Sequence, residues 1–168
     1  MQRRTLLKLS LGAAALFAVA GGGVALLRPG LVDGRMTPEA RAVFHAVARA
    51  VLDGSLPADP AVRRTALNAH LGRLDDTLAG FAPATCAELS QLLALLASAP
   101  GRIALAGLQP DWPEASVLEL QQALQAMRTS KLAMRQQVYH ALRDLTNAAY
   151  YADPSVWPLM GYPGPRTV

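Results

Sequence analysis

The apolar residues of this chain recur at three and four, and proline and glycine cut the recurrence into separate stripes. Thr37-Pro38 and Asp59-Pro60 each set a side-chain acceptor ahead of a proline, the pattern of a capped helix start. After the first come Ala40, Val43, Phe44, Val47, Ala50 and Val51, and Asp53-Gly54 ends the stripe. After the second come Val62, Ala66, Leu67, His70, Leu71, Leu74 and Leu78, before Gly80 and Pro83. A third helix is predicted over residues 83–98. Leu89, Leu92, Leu93, Leu95 and Leu96 make it apolar on nearly every side, which predicts the central, most buried position. Pro100-Gly101 breaks it, and residues 102–108 read as one or two helical turns before a loop at 109–113. A fourth helix is predicted over 114–128. A fifth runs from Ser130 to about Tyr151 and carries Leu132, Val138, Tyr139, Leu142, Leu145, Ala149 and Tyr150. No stretch alternates as a strand would, and no segment repeats. The expectation is an all-α bundle of about five helices with a Pro/Gly/aromatic irregular C-terminal tail.

That tail, residues 152–168, holds Pro154, Pro158, Pro163 and Pro165 together with Gly161 and Gly164, so a regular α-helix is not expected there. It also holds Trp157, Leu159, Met160 and Tyr162, which is too apolar for a free tail. Such a segment needs a surface, either its own bundle or another protein.

The other end reads as targeting. Arg3-Arg4-Thr5-Leu6-Leu7-Lys8 resembles the twin-arginine export motif, with Gln2 where Ser or Thr is usual and Leu6 where Phe is commonest. An uncharged, glycine-diluted apolar run, residues 9–27, follows, and Ala18-Val19-Ala20 fits a small-x-small cleavage site at Ala18 and Ala20. An uncleaved anchor is the competing reading. Nineteen helical residues would span about 28 Å, close to the bilayer's hydrocarbon core. Either reading places the remainder in the periplasm. The organisation expected is a leader or anchor over 1–28, a linker over 29–36, a helical domain over 37–151 and a docking tail over 152–168.

The leader also explains the charge. Of 16 Lys and Arg, four (Arg3, Arg4, Lys8 and Arg28) precede Pro29 with no acid beside them; the remaining 12 match the chain's 12 Asp and Glu. No nucleic-acid surface is implied, and Arg63-Arg64 reads as a solvated helix face. The one cysteine, Cys86, sits in an apolar helical stretch and reads as a small buried thiol. Catalytic patterns are lacking in the sequence. His45, His70 and His140 have no partner at ligand spacing, and Asp75-Asp76 are adjacent on a helix and diverge. There is no haem-attachment or dinucleotide motif, so catalytic, cofactor and metal residues are all predicted as none.

Ala148-Ala149-Tyr150-Tyr151-Ala152-Asp153-Pro154-Ser155-Val156-Trp157, followed by Gly161-Tyr162-Pro163-Gly164-Pro165, resembles the end of the gluconate 2-dehydrogenase subunit 3 family. Gly107-Leu108, Trp112 through Ser116 and Arg128-Thr129-Ser130 are also similar to that family, while Trp157-Pro158-Leu159-Met160 departs from it. The resemblance implies a small accessory subunit without chemistry of its own. It implies export through the twin-arginine translocase together with a large flavin dehydrogenase subunit of the glucose-methanol-choline type, which carries the FAD. A cytochrome c subunit can complete such a complex. On this reading Tyr150, Tyr151, Trp157, Gly161, Tyr162, Pro163, Gly164 and Pro165 are candidate docking residues. Two alternatives stay open: a membrane-anchored periplasmic helical protein of structural role, and a cofactor-binding periplasmic protein whose site is assembled from distant residues.

Overall fold

The computed structural model describes residues 27–164. The leader positions Arg3, Arg4, Leu6, Leu7, Lys8, Ala18 and Ala20, and the terminal Pro165, lie outside the described residues. The rest is mostly helical. Five long helices follow one another: α1 (Pro38–Val51), α2 (Pro60–Ala79), α3 (Pro83–Ala97), α4 (Val117–Arg128) and α5 (Ala133–Tyr151). The proline-marked starts are where the sequence puts them. The Thr37 hydroxyl accepts from the Ala40 amide, and the Asp59 carboxylate accepts from Ala61 and Val62. Helix α4 begins three residues later than its apolar pattern suggests, because Ser116 and Glu119 close a reciprocal capping box. Helix α5 likewise begins after Ser130, with Leu132 as its N-cap.

Helix α1, not α3, is the centre of the bundle. It packs against α2, α3, α4 and α5, and buries Ala40, Val43, Phe44, Ala46, Val47, Ala48 and Ala50. Helix α3 buries only Leu89, Leu93, Ala94 and Leu96, with Leu92 and Leu95 half-covered at its flanks. A count of leucines favoured α3. The small alanines of α1 explain why it wins the central place: they let four neighbours approach one axis. An ion pair at this core ties α1 to α2, where Arg41 meets Asp75, whose other oxygen accepts from the Met36 amide at 2.9 Å.

The expected linker before α1 is a small antiparallel hairpin, Leu31–Val32 (β1) pairing with Arg35–Met36 (β2). Asp33 and Gly34, both at positive φ, make its turn. Two-residue strands are too short for alternation to show in sequence. Gly30 lets this hairpin lie on α3: a Cβ there would fall 2.5 Å from the Leu93 Cβ and 2.7 Å from the Ser90 carbonyl oxygen. After α3 the chain makes one α-turn, Ala99–Gly101, and a π-turn, Arg102–Ala106. The buried Arg102 holds the following loop through the Leu108 and Gln109 carbonyls and the Asp111 carboxylate. That loop seats Trp112, whose indole N–H donates to the Leu96 carbonyl at 2.7 Å.

The tail is not irregular throughout. Pro154–Met160 is a 3₁₀ helix. Its first proline has no amide to waste at a helix start, and 3₁₀ spacing tolerates Pro158 where an α-helix would not. The Asp153 carboxylate caps it by accepting from the Ser155 amide at 2.9 Å.

Candidate docking surface at the C-terminal end

Five residues form a satellite cluster beside the main core: Ala48 of α1, Leu52 at its C-cap, Leu67 of α2, Tyr150 of α5 and Val156 of the 3₁₀ helix. Leu56 and Trp157 pack against it, half-buried. The 3₁₀ helix is thereby fixed to the bundle. Arg73 fastens it further, pairing with Asp153 at 3.0 Å and donating to the Ala149 carbonyl at 3.0 Å. Hydrogen bonding from Ser155, its side chain first and its amide second, holds the Asp153 carboxyl below its ordinary pKa, and the nearby Arg73 cation adds to this.

Trp157 is the node of the tail. Its indole N–H donates to the Tyr151 carbonyl at 2.8 Å. Gly161, in the left-handed region, turns the chain back, and the Tyr162 amide donates to the Trp157 carbonyl at 3.1 Å. The Tyr162 ring then meets the Trp157 ring edge-on, centroids 5.3 Å apart. Gly164, at φ +94°, passes over the same ring, where a Cβ would stand 3.3 Å from Trp157 Cζ3. The two sequence segments, Tyr150 to Trp157 and Gly161 to Gly164, are brought together on one indole.

The candidate docking residues separate into two groups. Tyr150 faces inward: it is buried, its hydroxyl donates to the Ser55 carbonyl at 3.0 Å, and burial raises its phenol pKa. It does not present a surface to a partner. Trp157, Gly161 and Gly164 shape the tail, and Pro163 connects its last turn. The outward side belongs to Tyr151, Leu159, Met160 and Tyr162, whose exposures run from 45% to 73%. Leu159 is the most exposed of them. Large apolar side chains held outward on a braced segment can make a contact surface.

The titratable groups elsewhere do not gather. His45 lies half-buried on α1, with burial and Arg49 lowering its pKa; His140 is exposed on α5. His70 is buried on α2, with both ring nitrogens unpartnered. Asp75 and Asp76 diverge as adjacent helical positions must: the first is buried on Arg41, the second faces solvent. Cys86 is only half-buried, its thiol 3.4 Å from the Leu78 carbonyl oxygen. Among the described residues no three His, Cys, Asp or Glu side chains come together as a metal site, and no single helix is long and apolar enough to cross a membrane. Two shallow clefts, about 150 and 240 Å³, meet at Glu39 near the start of α1, the end remote from the satellite cluster.

Compared with protein-family profiles, with curated proteins and with solved structures, the chain matches none.

Proposed function

We propose that this chain is a non-catalytic accessory subunit of a periplasmic, flavin-dependent sugar or alcohol dehydrogenase of the glucose-methanol-choline type. It escorts or stabilises the large FAD-carrying subunit during twin-arginine export. The observation that carries the reading is the tail. One half-buried tryptophan braces a segment that holds Tyr151, Leu159, Met160 and Tyr162 outward. Bracing lowers the entropy that a partner contact must overcome, so such a segment is suited to dock. The leader motif at Arg3-Arg4 and the resemblance of the tail to the gluconate 2-dehydrogenase subunit 3 family supply the partner's identity and compartment.

The test is co-expression with a candidate leaderless flavin dehydrogenase subunit of the glucose-methanol-choline type. Removing residues 157–168 should abolish co-purification, while an intact complex after that truncation refutes the docking role. Replacing Arg3 and Arg4 with Lys should leave both subunits in the cytoplasm, since lysine lacks the planar guanidinium fork. Purified alone, the chain should be colourless and inactive with sugars, alcohols and an artificial electron acceptor. Turnover by the isolated chain would overturn the assignment.

A further inference from the structure

His70 is 1% exposed and Thr146 is fully buried; their Nδ1, Nε2 and Oγ1 are the buried side-chain polar atoms without a partner among the described residues. They occupy facing helices at one level. Leu67 of α2 shares the satellite cluster with Tyr150 of α5, and Arg73 of α2 reaches the Ala149 carbonyl. His70 lies midway between Leu67 and Arg73, and Thr146 lies one turn before Tyr150. A neutral imidazole is tolerated in that layer, because it brings no charge into it. An imidazolium is not, because it brings a charge and two donors into an apolar layer.

No carboxylate waits to receive that charge. On the elements packed against α2, Asp153 is engaged by Arg73, Asp144 by Arg143, and Glu39 stands near Arg28 at the far end of α1. Asp75, on α2 itself, holds Arg41. Of the cations, Arg73 is one turn away, Arg49 binds the Pro113 and Ala115 carbonyls, Arg135 binds the Leu105 carbonyl, and Arg35 is exposed on β2. The other titratable side chains on these elements are His45 on α1 and Tyr139, His140, Tyr150 and Tyr151 on α5.

We propose that the His70–Thr146 layer is an acid-sensitive latch: protonating His70 loosens α2 from the last turns of α5 and releases the tail that Arg73 fastens there. The proposal rests on the fold alone and stands or falls separately from the docking role. Desolvation first, and Arg73 second, lower the His70 pKa to about 4. The closed form therefore binds fewer protons than the open one between about pH 6.5 and 4. Closure is complete above that window and weakens as pH falls through it. Asp153, whose pKa is lowered below its usual value, keeps its charge across most of the window and does not cause the release.

The experiment is amide hydrogen exchange by NMR on the full chain in mild detergent, with rates corrected for intrinsic pH dependence. The amides read are those of Val156, Gly161 and Tyr162, each hydrogen-bonded within the tail. Their protection should fall on the order of 100-fold between pH 6.5 and 4, while amides of α1 keep theirs. His70→Gln should leave tail protection flat across the window; if that variant folds poorly, His70→Leu replaces it. His45→Gln should leave the fall intact. A flat wild-type profile, an unchanged fall in both His70 variants, or a fall abolished by His45→Gln would each overturn the latch.

Discussion

The main core around α1 and the satellite cluster around Trp157 use the same apolar chemistry to opposite ends. In the core, Phe44, Leu74, Leu78, Leu93, Leu96, Leu120, Met127 and Leu142 are all essentially without exposure, and neighbouring helices close every side of α1. In the satellite, Tyr150 and Val156 turn inward while Tyr151, Leu159, Met160 and Tyr162 stay out. A closed core converts apolar area into stability. The half-closed cluster buries Tyr150 and Val156 and leaves four large side chains outward. Damage to the first should unfold the chain, whereas damage to the second should leave a folded chain that no longer binds.

The largest expected effect lies in the core. Phe44→Ala should cost about 3–5 kcal/mol, because it empties the axis on which four helices converge. Chemical denaturation checks this; a loss under 1 kcal/mol would mean that α1 is not central. Asp75→Ala comes next. It strips the Met36 amide and Arg41 of their acceptor, at a cost of about 2 kcal/mol. Arg41 is one-third exposed and can turn to water, which keeps the loss below that of a sealed ion pair.

Trp157→Ala carries the comparison into the tail. It removes the platform for Tyr162 and Gly164 and should free the tail to protease, with a loss of about 1–2 kcal/mol confined to the satellite. If global unfolding shifts as much as for Phe44→Ala, the two regions are one cooperative unit and the contrast fails. Gly164→Ala is gentler, about 1 kcal/mol, from a positive φ and a methyl pressed on the indole. It should reduce hydrogen-exchange protection at the Tyr162 amide and leave the melting temperature nearly unchanged.

The parts legible in sequence were those fixed by local chemistry. Thr37 and Asp59 cap their helices with their own side chains, so neighbours three residues away suffice to read them. The Ser116–Glu119 capping box is equally local, and was obscured only because Glu114 and Ala115 look helical. Asp33-Gly34 signals a hairpin turn, but two-residue strands carry no alternation to accompany it. What sequence did not reveal depends on distant residues. The central place of α1 comes from alanines that matter only once four helices approach them. The inward turn of Tyr150 comes from the Ser55 carbonyl, 95 positions away, and the outward turn of Tyr151 follows from its neighbour's choice. Within the candidate site the aromatics could be named from sequence, while their division into braces and contacts could not. Leu159 and Met160 join the outward side by exposure, which no pattern announces.

The sharpest test leaves every brace in place and removes only the outward face. Tyr151→Ser, Leu159→Ser and Met160→Ser together should leave folding stability almost unchanged, since exposed substitutions usually stay within about 0.5 kcal/mol each. The measurement is co-purification of this triple variant with the flavin dehydrogenase subunit, alongside its melting temperature. The account predicts a chain that melts like the wild type and no longer retains the flavoprotein. A variant that still holds the flavoprotein at wild-type yield would show that the outward face is not the docking surface.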